Sequence, residues 1–324
     1  MKTVFVTRRL PQPALDKLAQ HAELHVNPDD RVLSRQELLA GVREVDALLP
    51  LLTDTIDAEV MDANPGLQII ANYAVGFNNV DVAAATARGI PVTNTPGVLT
   101  ETTADLAWSL IMATARRIVE SDKFLRSGQF EGWAPMMYLG IDVWGKTLGI
   151  VGMGQIGRAI ARRAIGFQMK TIYHDVVPQP AEVEQTLNAT YVDMETLLRE
   201  SDFITLHVPL TPETTHLIDE AALNLMKSTA ILVNSSRGPA IDEAALVKAL
   251  KEGRIAGAGL DVFENEPALA PGLAELDNAV IVPHIGSASI ETRTKMAMLA
   301  VDNIIARLTG QPLLTCVNPE VLGG

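Results

Sequence analysis

The chain has 324 residues, enough for about two ordinary domains, and 48% of them are hydrophobic against 20% charged, so a mostly disordered chain is excluded. With 26 Lys and Arg against 39 Asp and Glu the formal net charge is −13, which repels polyphosphate and argues against nucleic acid and against a basic membrane-binding patch. The single cysteine, Cys316, can form neither an intrachain disulfide nor a cysteine metal cluster, and no apolar run is long enough to span a bilayer.

Taken in chain order, residues 3–7 read as a strand, 24–26 as a weaker one, and 46–52 and 67–75 as stronger ones. Between them lie helical stretches. One opens with Ser34-Arg35-Gln36-Glu37, a capping box, and another runs from Asp81 to Gly89. Residues 101–119 read as one long amphipathic or buried helix carrying Leu106, Leu110, Met112 and Ile118. A less regular segment, 126–144, follows and holds Trp133 and Trp144, two of the three tryptophans, together with Pro135, Met136, Met137 and Tyr138. The alternation then restarts, with strands expected at 148–151, 171–174, 203–208, 230–235, 256–262 and 280–282, and a last helix over 289–308. Apolar strands alternating with helices predict parallel sheets covered on both faces, and the two blocks predict two doubly wound α/β domains. The N-terminus reaches Arg8-Arg9 too early for a secretory signal, so the cytoplasm is the expected location.

Strand 148–151 runs into Gly152-Met153-Gly154-Gln155-Ile156-Gly157 and then into a helix pattern. In such a loop the first Gly makes the turn, the second admits a pyrophosphate to the backbone, and the third lets helix and strand pack. The following helix start favours the anion. The next strand ends in Asp175, 18 residues beyond Gly157, where a carboxylate accepts from the ribose hydroxyls and repels a 2′-phosphate. Val176 and Val177 follow, not arginine, so NAD is expected over NADP.

Three later strand ends carry ionisable residues: Asn234-Ser235-Ser236-Arg237-Gly238, Asp261-Val262-Phe263-Glu264-Asn265-Glu266-Pro267, and Pro283-His284-Ile285-Gly286-Ser287-Ala288. The carboxyl ends of parallel strands are where α/β proteins hold ligands, so an Arg, a Glu and a His arriving there form a candidate acid–base and anion-binding set. Taken alone, Arg237 and Glu266 would each be read as a solvated charge. His216 reads as a solvated loop residue, His207 as a strand residue on the adenine side, and Met136 and Met137 as packing. Trp133 admits two readings, core packing or a pocket wall that reaches a neighbouring subunit.

In this order, over essentially the whole chain, these motifs resemble the D-isomer-specific 2-hydroxyacid dehydrogenase family. Residues 72–81, Thr93-Asn94-Thr95-Pro96-Gly97 and Trp133-Ala134-Pro135-Met136 look most like its glyoxylate/hydroxypyruvate reductase branch. The resemblance implies a flavodoxin-like substrate domain built from both termini (1–99 and 289–324) and an inserted Rossmann NAD domain (100–288). It implies that His284 protonates the substrate carbonyl, that Glu266 hydrogen-bonds His284 and favours its protonated form, and that Arg237 binds the carboxylate and polarises the carbonyl. Leu52, the backbone N–H groups of Val75 and Gly76, and Trp133 would complete the substrate site. Thr103, Gly152, Gly154, Gln155, Ile156, Gly157, Asp175, His207, Val208, Pro209, Ser235, Ser236, Arg237, Asp261, His284 and Gly286 would hold the cofactor, with Asp261 near the nicotinamide amide.

The implied reaction is NADH-dependent reduction of a small 2-oxo acid, glyoxylate or hydroxypyruvate, by a homodimer whose interface is segment 126–144. NADPH-preferring relatives carry a basic residue where Val176 follows Asp175. Phosphite dehydrogenases carry Lys where Val75 stands, D-lactate dehydrogenases have an aromatic segment where Gly286-Ser287-Ala288 stands, and long phosphoglycerate dehydrogenases have a regulatory extension that this chain is not expected to carry. Another substrate (phosphite or a bulkier 2-hydroxy acid) and a binding role, as in the family's NAD-sensing corepressors, remain the alternatives.

Overall fold

The computed structural model describes residues 1–323 and divides into two compact units, residues 1–99 with 287–323 and residues 100–286. The chain thus returns to the first unit at Ser287 rather than at 289.

The terminal unit holds strands β1 (Thr3–Val6), β2 (Glu23–Val26), β3 (Ala47–Leu49), β4 (Ile69–Ala71) and β5 (Val92–Thr93) in one parallel sheet of order β2-β1-β3-β4-β5. That is the flavodoxin-like order, with the switch between β1 and β3. Helix Arg35–Val42 starts at the expected box: Ser34 Oγ accepts from Glu37 N at 3.3 Å and Glu37 Oε2 from Ser34 N at 2.8 Å. Helix Ile290–Leu308 begins at Ser289, whose side chain accepts from Thr292 N, and packs on helix Gln12–Ala19 and on β4. Strands expected over 46–52 and 67–75 shrink to three residues each. Their distal ends turn into loops fastened by side chains: Asp54 accepts from Leu51 N at 2.8 Å, and Asn72 and Asn79 exchange amide hydrogen bonds.

The central unit holds β6 (Thr147–Val151), β7 (Lys170–His174), β8 (Ala189–Tyr191), β9 (Phe203–Leu206), β10 (Ile231–Asn234), β11 (Gly257–Leu260) and β12 (Ala279–Ile281). All are parallel, in the order β12-β11-β10-β9-β6-β7-β8, which reverses direction between β6 and β9. The aliphatic strands are buried on both faces: Leu148, Ile150, Phe203, Leu206, Leu232 and Val233 are fully enclosed, each contributing roughly 1.5–3 kcal/mol of apolar burial. Helix Thr100–Ala115 lies against β10, β11 and β12, close enough that a Cβ at Gly259 would meet Leu110 Cβ at 2.9 Å.

The single long helix expected over 101–119 is two helices. The first ends at Ala115, and Ile118–Arg126 begins after Arg117, whose φ is 52. Arg117 holds this break with two bonds to Glu120, at 2.8 and 2.6 Å, and lies over the Tyr138 ring, 5.0 Å from its centroid. No glycine or proline marks it in the sequence. Segment 127–146 is without helix or strand; Val143 is buried in the core, while Trp133 is 82% exposed, Met136 76% and Trp144 63%. The core-packing reading of Trp133 therefore fails, because among the described residues its side chain is left largely uncovered, and Met136 is exposed as well.

Candidate active site

The carboxyl ends of β6, β7, β9, β10, β11 and β12 bring the central unit's expected residues to one edge of its sheet. Gly152 leaves β6 with φ +93, a left-handed conformation that favours glycine, and a Cβ there would lie 2.6 Å from His207 O. A Cβ at Gly157 would lie 2.2 Å from Gly152 O, so the loop closes onto its own helix only with glycine at both positions. Gly154 has open space where its Cβ would stand. It precedes helix Gln155–Gly166, whose N-terminus no side chain caps, leaving the first-turn N–H groups of Gln155 and Ile156 for an anion. Asp175 at the end of β7 is drawn to this loop: its Oδ2 accepts from Met153 N at 2.7 Å and its Oδ1 from Val176 N at 2.7 Å.

His207, Val208 and Pro209 follow β9 and border Gly152. His207 Nε2 lies 2.8 Å from Thr205 Oγ1, while its Nδ1 is shielded and has no hydrogen-bond partner among the described residues. Burial pushes the His207 imidazole down to about 3, so it stays neutral. Ser235 Oγ, after β10, is likewise buried without a partner among the described residues. The open space beside Gly154 and two orphaned polar atoms along one sheet edge fit a dinucleotide.

Arg237 stands after β10 on a turn built by buried Asn234, whose amide donates to Arg237 O at 2.9 Å and whose Oδ1 accepts from Ser236 N and Oγ. The sequence reading gave Asn234 no role, although it opens the Asn-x-x-Arg-Gly segment. Burial pushes the Arg237 guanidinium down, opposed by the negative charge of Glu266. Asp261, after β11, is 1% exposed, and burial pushes its carboxyl up against the two N–H groups it accepts, Ile285 N at 2.6 Å and Gly286 N at 2.8 Å. Gly286 in turn abuts Thr103 of helix Thr100–Ala115.

His284 follows β12 with φ 53, a strained region tolerated where surroundings enforce it. Its Nδ1 lies 3.0 Å from Glu266 Oε2, and Glu266 Oε1 accepts from Phe263 N at 3.0 Å. Burial pushes the Glu266 carboxyl up, but the bond and charge of His284, the Phe263 N–H and the charge of Arg237 outweigh it. The carboxyl ends below its ordinary range, ionised at neutral pH. The pair therefore presents an imidazole whose second nitrogen is left for a substrate, backed by a fixed carboxylate and with a guanidinium close enough to feel that charge.

In the terminal unit, Leu52, Val75 and Gly76 lie on the loops after β3 and β4. Asn79 knits those two loops, donating to Leu51 O at 3.0 Å and Asp54 O at 3.2 Å. The carbonyls of Val75 and Gly76 accept from Asn94 and Asn72, and their N–H groups have no acceptor among the described residues. His216 is the exposed loop residue expected, and its Nε2 also meets Glu264 Oε1 at 2.7 Å.

A doubly wound sheet with a glycine-rich turn at its switch point, and with an arginine, a glutamate and a histidine following β10, β11 and β12, defines a dehydrogenase using a nicotinamide dinucleotide. The model of the D-isomer specific 2-hydroxyacid dehydrogenase NAD-binding domain matches residues 108–286. The chain is 55% identical over 322 residues to a glyoxylate reductase of Korarchaeum cryptofilum, covering 98% of this chain and 96% of that one. Among solved structures, a protein of Thermus thermophilus is 48% identical with a TM-score of 0.92, covering 97% of this chain and 99% of that one. An NADPH-dependent glyoxylate/hydroxypyruvate reductase from Sinorhizobium meliloti, in complex with NADP and malonate, is 36% identical with a TM-score of 0.85, covering 98% and 96%. The chain belongs to the D-isomer specific 2-hydroxyacid dehydrogenase family. No helix among the described residues is long and apolar enough to cross a membrane.

Proposed function

We propose that this enzyme reduces glyoxylate to glycolate and hydroxypyruvate to D-glycerate, with NADH preferred over NADPH. The observation that carries the reading is the His284–Glu266 pair at 3.0 Å, on the same sheet edge as Arg237 and the glycine loop. The relatives named glyoxylate reductase support the substrate class.

When bound, the dinucleotide supplies the hydride. His284 gives a proton from Nε2 to the carbonyl oxygen, since its Nδ1 is engaged by Glu266. Arg237 binds the substrate carboxylate and polarises the carbonyl, joined by the N–H groups of Val75 and Gly76, with Leu52 and Trp133 as apolar contacts. The residues along the glycine loop and the ends of β9, β10 and β11, with Thr103 and Gly286, would hold the cofactor, and Asp261 would sit near its nicotinamide amide. NADH preference rests on Asp175, whose carboxylate repels a 2′-phosphate, and on Val176 and Val177, which add no cation. We further propose a homodimer through segment 126–144, where Trp133, Met136 and Trp144 stand uncovered.

NADH oxidation with glyoxylate and with hydroxypyruvate, run against NADPH, tests this. Turnover with kcat/KM of about 10⁴ M⁻¹s⁻¹ or more and NADH ahead supports the reading. NADPH ahead removes the cofactor assignment, and no turnover of either acid removes the substrate class. Light scattering that reports a monomer removes the dimer.

A further inference from the structure

Two side chains outside the proposed reaction join the loop that carries Arg237 to the loop that carries Glu266. His216 sits between β9 and β10 with φ 50. Its backbone N–H donates to Pro239 O at 2.7 Å, two residues past Arg237, while its Nε2 meets Glu264 Oε1 at 2.7 Å, two residues before Glu266. Main chain thus holds one loop and side chain the other. Glu264 is fixed from behind: its Oε2 accepts from Glu243 N at 3.2 Å, and its own N–H donates to Glu243 Oε1 at 2.7 Å. Glu243, 4% exposed at the start of helix Glu243–Lys251, also accepts from Ala270 N at 3.2 Å, closing the far end of the Glu266 loop. The two loops touch directly as well, since a Cβ at Gly238 would fall 1.9 Å from the backbone of Phe263. Phe263 is the residue whose N–H holds Glu266 Oε1.

We propose that His216 and Glu264 form a positioning pair that sets Arg237, as carboxylate binder, against Glu266, as partner of the proton donor. The pair touches neither substrate nor cofactor; it fixes the spacing of two groups that do. This rests on the roles proposed above for Arg237 and Glu266. A shift of about 1 Å at a reacting centre can cost on the order of 10²-fold in rate, so a loosened loop should be visible in kinetics before it is visible in folding.

The test measures kcat and KM for glyoxylate and KM for NADH in wild type, His216→Ala, His216→Gln and Glu264→Ala, with melting temperature and oxamate binding to the NADH-loaded enzyme. His216→Ala and Glu264→Ala should each lower kcat/KM for glyoxylate by about tenfold or more and weaken oxamate comparably, with the NADH KM within about twofold of wild type. His216→Gln, which restores an N–H for Glu264, should recover most of the loss, and the double Ala variant should lose no more than the worse single one. Unchanged glyoxylate kinetics in His216→Ala, equal losses on the NADH side, no recovery in His216→Gln, or variants that fail to fold each overturn the proposal. Wild-type enzyme that neither reduces glyoxylate nor binds oxamate overturns the underlying reading instead.

Discussion

Asp261 grips the turn of His284 at three points. Its backbone oxygen accepts from His284 N at 2.9 Å, and its two carboxylate oxygens accept from Ile285 N and Gly286 N just beyond. The strained φ of His284 is thereby enforced from β11, the neighbouring strand, so the direction of the imidazole is inherited from the sheet.

Replacing Asp261 with Ala leaves two N–H groups without an acceptor in a site that is 1% exposed. The expected loss is about 2–6 kcal/mol of folding stability, at roughly 1–3 kcal/mol for each orphaned group. Urea unfolding measures it. A loss under about 0.5 kcal/mol would mean that water replaces the carboxylate and the turn does not depend on it.

How much of this was legible beforehand follows from the range of each interaction. The glycine loop, Arg237, Glu266 and His284 announce themselves because each lies in a short motif at the end of an apolar strand, and parallel strand ends converge by topology alone. The tie between His216 and Glu264 spans 48 residues, and no local pattern encodes it. The break at Arg117 was hidden for a similar reason: a left-handed arginine is stabilised by Glu120 and Tyr138, and propensity alone reads straight through it. Strand β8, three residues at the sheet edge, and β5, only two, offered too little periodicity to detect.

His284→Ala removes the proposed proton donor, and kcat for glyoxylate should fall by about 10²–10⁴ with the melting temperature preserved. Glu266→Gln keeps the shape and loses the charge opposite His284, so it should slow turnover less than His284→Ala does. The Glu266 carboxyl lies below its ordinary range in the folded chain. Its pairing therefore contributes stability above the ordinary carboxylate range and loses it as the pH falls through the lower, folded value. The stability gap between wild type and Glu266→Gln should be widest near neutral pH and close in acid. Near-normal turnover by His284→Ala would refute the mechanism.

His207 gives a second pH dependence, of opposite chemistry but the same sign. Folding depresses its imidazole from 6.5 to about 3, so between those values the unfolded chain binds a proton that the folded chain does not. Stability should therefore drop on acidification, by about 2 kcal/mol between pH 7 and pH 5 from this residue alone. His207→Gln, which cannot titrate, should lose that much less over the same interval in urea titrations. Parallel curves for the two proteins would show that His207 protonates freely in the folded state.

Asp175 and Arg158 occupy opposite ends of one residue: Asp175 Oδ2 accepts from Met153 N, and Arg158 Nε donates to Met153 O at 3.3 Å while its guanidinium also reaches Gln179. The rim of the proposed ribose site thus carries an acid and a cation side by side. Asp175→Ala removes the repulsion toward a 2′-phosphate and the acceptor for a ribose hydroxyl, and leaves Arg158 with no carboxylate competing for an added phosphate. The ratio of kcat/KM for NADH over NADPH should fall by about tenfold or more, the scale of one charged hydrogen bond. Removing Arg158 as well should abolish the gain on the NADPH side and leave the loss on the NADH side. If Asp175→Ala alone leaves the ratio unchanged, the carboxylate serves only to tie the glycine loop to Met153 and Val176, and the choice of cofactor is made elsewhere on the rim.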